Sequence, residues 1–182
     1  NIQILYGIEA LSMDNASKTV HVETEYGTLQ TQNCIIATNG FAKQWINEDI
    51  LPARAQVLVT NPIKDLKVKG TFHFEKGYYY FRNVGDRLLL GGGRNIDVAG
   101  ETTEKFGTTE KIQNKLQDLL NHIILPNQAW SIDYSWSGIM GVGQTKSPIV
   151  KMLNNNTAIG VRLGGMGVAL GAQVGKKLAS YF

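Results

Sequence analysis

The 182-residue chain is 43% apolar and 18% charged, with a formal net charge of +3; this is enough for one domain or slightly more, and the low charge suits a piece that buries part of its surface against something else. Basic and acidic residues interleave even around Lys64, Lys67 and Lys69, which excludes a nucleic-acid footprint, and Cys34 as the only cysteine excludes an internal disulfide, a CxxC pair and a thiolate metal cage. No apolar run reaches the roughly 18 residues that span a bilayer, and no secretory leader opens the chain, so a cytoplasmic protein with no membrane span is expected.

Residues 2–11 are apolar and β-prone. Residues 18–24 alternate, with Val20 and Val22 on one side and His21 and Glu23 on the other, and Tyr26 and Gly27 turn the chain into a return strand at 28–32. This predicts a hairpin or meander. Residues 34–37 read as a buried strand ending at Thr38, Asn39 and Gly40, with a short helix at 41–47. Pro52 marks a boundary. Residues 53–60 predict a strand with Arg54 and Gln56 as its polar alternates. Three more strands are predicted at 71–75, 78–82 and 87–90, with turns at Lys76–Gly77 and Gly85–Asp86. An amphipathic helix is expected at 109–123, with Ile112, Leu116, Leu119, Leu120 and Ile123 on one stripe, Thr108 or Thr109 as its cap, and Pro126 beyond its end. Residues 129–136 predict a strand, 137–147 a glycine-rich loop, and 158–161 a last strand that meets Gly164, Gly165 and Gly167 before a C-terminal helix. The class is α+β, with the strands in two sheets.

The strand–glycine–helix unit at 158–182 carries the most chemistry. Glycines let the backbone turn sharply and let another molecule approach it. The following helix start has unpaired N–H groups and the positive end of a dipole, which suit an anion or an electron-rich ring edge. A tight turn with no ligand has the same sequence. The histidines, His21, His73 and His122, are isolated, so neither a metal site nor a hydrolytic constellation is expected. Tyr78, Tyr80 and Arg82 share a strand face at spacing two, and a guanidinium beside a phenol equips that face for a carboxylate.

Five segments stand in a recognisable order: residues 34–42 (CIIATNGFA), 51–63 (LPARAQVLVTNPI), 78–95 (YYYFRNVGDRLLLGGGRN), 132–150 (IDYSWSGIMGVGQTKSPIV) and 158–182 (AIGVRLGGMGVALGAQVGKKLASYF). Together they resemble the C-terminal half of the D-amino-acid-oxidase-like FAD-dependent oxidoreductases, the family of glycine and sarcosine oxidases. The resemblance implies a parent enzyme that oxidises the C–N bond of a small amine or amino acid, passing hydride to flavin N5. It implies an FAD-binding part at 1–48, a substrate domain of antiparallel sheet and helix at 49–131, and a return to the FAD-binding part at 132–182. It places Thr38, Asn39, Gly40, Gly138, Ile139, Gly164, Gly165, Met166, Gly167 and Val168 near the flavin. No cysteine lies at 136–150, where some relatives attach flavin covalently, so non-covalent FAD is implied.

The chain departs from the family at two points. In the glycine-oxidase branch an arginine follows the W-x-G segment and binds the substrate carboxylate; here Met140 stands there, and Lys146 stands where an acid is frequent. Arg82 with Tyr80 is the expected substitute, and Arg94 and Arg162 are further candidates; no catalytic acid or base is assigned. The G-x-G-x-x-G fingerprint of an FAD domain is also absent, so a dinucleotide-binding half is expected to lie outside these residues, and the chain alone is expected to bind FAD weakly or not at all. The alternative is a non-catalytic module or subunit that needs a partner chain to complete a flavin site.

Overall fold

The computed structural model describes residues 2–14 and 18–182. In chain order its strands are β1 (Ala10–Asp14), β2 (Val20–Thr24), β3 (Gly27–Thr31), β4 (Cys34–Ile36), β5 (Leu51–Thr60), β6 (Thr71–Phe74), β7 (Tyr79–Val84), β8 (Arg87–Gly92), β9 (Ile132–Val142), β10 (Ile149–Asn154) and β11 (Thr157–Val161). Two α-helices accompany them, α1 (Glu110–Leu119) and α2 (Gly167–Ala179). The mixed α+β class agrees with the sequence reading, but the strands form three sheets: β1-β2-β3, β10-β11-β4 and β6-β7-β8-β5-β9.

The first sheet is the expected meander. Val20 pairs with Thr31 and Thr24 with Gly27 across the turn. The apolar run ahead of it joins a strand only from Ala10; Ile2, Ile4 and Tyr6 are exposed.

The five-stranded sheet is antiparallel throughout, with β5 between β8 and β9. One face of α1 covers it. Ile112, Leu116, Leu119 and Leu120 bury themselves against Leu58, Tyr79, Leu88 and Leu90, and each fully buried side chain of this size is worth roughly 1.5–3 kcal/mol. Ile123 is a correction: it is half-exposed, whereas Leu125 is buried. The helix passes after Leu119 into one π-type turn, Leu120–Ile124, closed by the Leu125 N–H to the Leu120 carbonyl. The wider turn rotates residue 123 outward and brings residues 124 and 125 onto the core. Thr109 does occupy the helix N-cap position, but its hydroxyl makes no capping bond to the helix backbone.

The glycine-rich stretch expected as a loop from residue 137 is strand as far as Val142. β9 pairs with β5 from Thr60↔Ile132 to Leu51↔Val142, so Gly138 and Gly141 stay in the ladder. A long partner strand on one side holds glycines extended despite their weak intrinsic preference. The expected domain boundary at 131/132 thus precedes a strand that remains in the central sheet.

In the third sheet β4 runs parallel to β11, and β10, which the sequence reading left out, pairs antiparallel to β11. The chain leaves β4 through a short 3₁₀ turn, Asn39–Gln44. Ile36, Ala42, Ile46, Ile50, Ile149, Ile159 and Val161 form its core. α2 crosses this sheet at Gly160, where a Cβ would lie 2.9 Å from Val174 Cγ1.

Candidate functional site

The end of β11 determines the geometry of the glycine loop. Arg162 adopts a left-handed φ of 63°, followed by Gly164 at 56° and Gly165 at 82°. Arg162 itself is a brace: its Nε donates to the Ser147 carbonyl at 2.9 Å and its guanidinium pairs with Asp49. The turn folds back as the Met166 N–H donates to the Leu163 carbonyl, and α2 begins at Gly167. Nothing would touch a Cβ on Gly164 within 4 Å, whereas a Cβ on Gly165 would lie 3.2 Å from Met140 Sδ.

Two other segments are tied to this loop. Asn39, left-handed at φ 46°, accepts the Leu163 N–H on its Oδ1 at 3.1 Å. The Gly164 N–H donates to the Gly141 carbonyl at 3.0 Å. Gly40 sits hard against β9, where a Cβ would come within 2.7 Å of the Ile139 carbonyl oxygen. The fold therefore brings together residues 39–40, 139–141 and 163–168. Gly138 is exposed one step along β9. Thr38 faces elsewhere: it lines a separate depression with Ile8, Phe41, Trp45 and Glu104.

Beside the loop lies a cleft of about 780 Å³, within the range of small-molecule sites. Its lining includes Gly164, Gly165 and Met166, with Met140 from β9, Tyr80 from β7, Arg94 after β8, and Lys76 and Lys146. Gly91, opposite Tyr80 in the ladder, leaves room for the phenol ring. Burial pushes the Tyr80 hydroxyl above the usual tyrosine range, so it stays protonated and able to donate. Arg82 lies outside the lining; it is exposed, opposite Thr71. Trp136 is half-exposed on β9.

The segment that supplies Arg94 is held by a buried polar cluster that sequence reasoning missed. Arg54 Nε and Nη2 fork onto the Glu101 carboxylate at 2.9 and 2.8 Å. Gln56 Nε2 donates to Glu101 Oε1 at 2.9 Å, and Gln56 Oε1 accepts the Thr109 N–H at 2.9 Å. Burial pushes the Glu101 carboxyl up, but the hydrogen bonds from Arg54 and Gln56, the Arg54 charge and the Thr109 hydroxyl together outweigh it and hold the group below the usual carboxylate range. The hydrogen bond to Glu101 raises Arg54 in return. The available signal was the pair of polar residues, Arg54 and Gln56, inside an apolar strand.

These features fit a flat, electron-rich ligand. The helix start offers N–H groups with no intrahelical partner. Met166 and Val168 present apolar surface to solvent, Val168 completely, and the glycine turn leaves room for a ring to approach the backbone. The chain belongs to the FAD dependent oxidoreductase family, whose model matches residues 1–181.

Solved structures agree on the fold. Glycine oxidase from Geobacillus kaustophilus superposes with a TM-score of 0.78 at 16% identity, over 96% of this chain and 47% of that one. Iminodiacetate oxidase from Chelativorans sp. BNC1 gives 0.76 at 17%, over 93% and 47%. L-proline dehydrogenase from P. horikoshii gives 0.75 at 19%, over 94% and 48%. The chain thus spans about half the length of these proteins. No curated protein matches it by sequence. Among the described residues no helix is long and apolar enough to cross a membrane, and no group of three or more His, Cys, Asp and Glu side chains is placed to hold a metal.

Proposed function

We propose that this chain forms the substrate-facing part and one wall of the flavin site of an oxidoreductase that oxidises the C–N bond of a small amine or amino acid, with FAD held non-covalently. When bound, FAD would supply the electron acceptor for hydride leaving the substrate carbon, and water would hydrolyse the resulting imine. The carrying observation is that α2 starts beside a cleft at the point where residues 39–40, 139–141 and 163–168 meet.

Each segment has a separate task. Gly164, Gly165, Met166, Gly167 and Val168 bring the positive helix end, with the N–H groups of Gly167 and Val168, to the electron-rich edge of the ring, a favourable field that is in place before any charge develops. Asn39 and Gly40 fix that loop against Ile139 from behind. Gly138 leaves open space on β9. Met140 and Tyr80 line the cleft where the substrate lies, the phenol as a neutral donor, and the cleft orients the amine so that the reacting C–H faces the ring. No acid or base of this chain takes part in the bond-breaking step on this reading.

The pyrophosphate-binding fingerprint is not found in these residues, and the solved relatives are about twice as long. We therefore assign the remainder of the FAD site to residues outside this chain, whether in the same polypeptide or in a partner. Absorbance tests this. The full-length protein is expected to carry a stoichiometric flavin that acid precipitation releases to the supernatant, and to lose colour when mixed with amine substrates without oxygen. The 182-residue chain alone is expected to bind FAD weakly or not at all. Full-length protein that takes up no FAD contradicts the reading.

A further inference from the structure

We propose that Arg94 is the specificity-determining residue of the cleft: its guanidinium receives a substrate carboxylate and restricts the site to amines that carry one. The inference rests on the flavin-site reading above and goes further by assigning the substrate anchor.

The arginines of this chain have divided roles. Arg54, Arg87 and Arg162 are paired with Glu101, Asp133 and Asp49. Arg82 is exposed away from the cleft. Arg94 lines the cleft and has no carboxylate partner among the described residues. Its Nη2 donates to Thr102 Oγ1 at 3.2 Å, and its Nε is buried with no acceptor. A carboxylate entering the cleft meets, at the terminal nitrogens, a guanidinium whose charge no described carboxylate neutralises.

The surroundings favour the same ligand. The cleft lining contains Lys76, Lys146 and Arg94 and no Asp or Glu. An acid entering it meets one sign of charge. Across the cleft Met140 offers an uncharged thioether, so the anchor comes from the β8 end and not from β9. Arg94 is also held in place. Gly93 takes a left-handed φ of 81° and its N–H donates to the Tyr78 carbonyl at 3.0 Å, which fixes where the next residue leaves the sheet. The following segment is clamped when Glu101 binds Arg54. Tyr80 stands in the same lining as a second donor.

The test uses the full-length, flavin-loaded protein, with acetate and benzoate as probes, acetamide and benzamide as neutral counterparts, and the flavin difference spectrum as the readout of Kd. The wild type is expected to bind the acids and not the amides. Arg94→Gln should raise Kd for the acids about 10- to 100-fold, the range for a lost charged hydrogen bond, with flavin content unchanged. Arg94→Lys should recover part of the binding, since it keeps the charge and loses the fork; if Arg94→Gln does not fold, this variant should still show a weakening of several fold. Arg82→Gln should stay within about two-fold of wild type. Unchanged acid binding in Arg94→Gln, or in Arg94→Lys where only that variant folds, would overturn the proposal. So would a wild type that ignores the acids or binds the amides equally well, and so would a loss produced by Arg82→Gln. If the protein holds no flavin, the flavin reading fails, and the same titrations by calorimetry still decide the role of Arg94.

Discussion

The five-stranded sheet with α1 and the three-stranded sheet with α2 use the same pattern of apolar residues to different ends. Under α1, Leu58, Tyr79, Leu88, Leu90, Ile112 and Leu116 are all buried. At the start of α2, Met166 and Val168 face solvent. The first region spends its apolar surface on its own stability. The second keeps apolar surface and unpaired N–H groups together where a ligand can use both. Mutations should therefore separate folding from ligand binding along this division.

The largest effect belongs to the first region. Leu116→Ala removes a side chain with no exposure and should cost about 2–5 kcal/mol by urea unfolding. Glu101→Gln leaves Arg54 buried without its counter-charge and should cost about 3 kcal/mol. Its pH dependence has a definite sign. The folded Glu101 carboxyl titrates below its ordinary value of 4.5, so its contribution is complete above that value and is lost as pH falls through the lower, folded value. Wild type should lose stability over that acid range faster than Glu101→Gln does. Parallel acid curves for the two proteins would break the assignment.

Effects in the second region should fall on the cofactor. Gly165→Val forces a branched side chain into a left-handed backbone beside Met140, a strain of roughly 1–3 kcal/mol, and FAD affinity measured by fluorescence quenching should drop by more than the stability does. The smallest stability effect is expected from Val168→Asp. Val168 is fully exposed, so unfolding should change by less than about 0.5 kcal/mol. A carboxylate at the first turn of α2 nevertheless opposes an electron-rich ring edge, and FAD binding should weaken. Equal FAD affinity in Val168→Asp and wild type would remove the contrast between the regions.

The sequence made the elements that rest on local rules legible. The turns at Gly27, Gly77 and Gly85 and the stripe from Ile112 to Leu120 needed only glycine geometry and helical spacing. Elements decided by distant partners were not legible. Gly138 and Gly141 look like loop until β5 pairs alongside them. β10 is not read from the sequence although Asn155 and Asn156 form a hairpin turn after a mostly apolar run. Ile123 left the stripe because a π-type turn shifts the register, and no local residue announces that. At the site, the family resemblance points to residues 38–40 and 164–168; the bond from the Leu163 N–H to Asn39 Oδ1 that ties the two segments together is tertiary. Strand alternation puts Arg82 on one face with Tyr80 but does not say what that face meets, and Arg82 lies outside the cleft lining.

Amide hydrogen exchange on the full-length protein, with and without FAD, tests the central claim most directly. If the α2 start and its glycine turn lie against the flavin, the amides of residues 164–170 should exchange more slowly when FAD is added, while those of β7 and β8 under α1 stay as they were. FAD that binds tightly and leaves residues 164–170 exchanging at the unliganded rate would contradict the account.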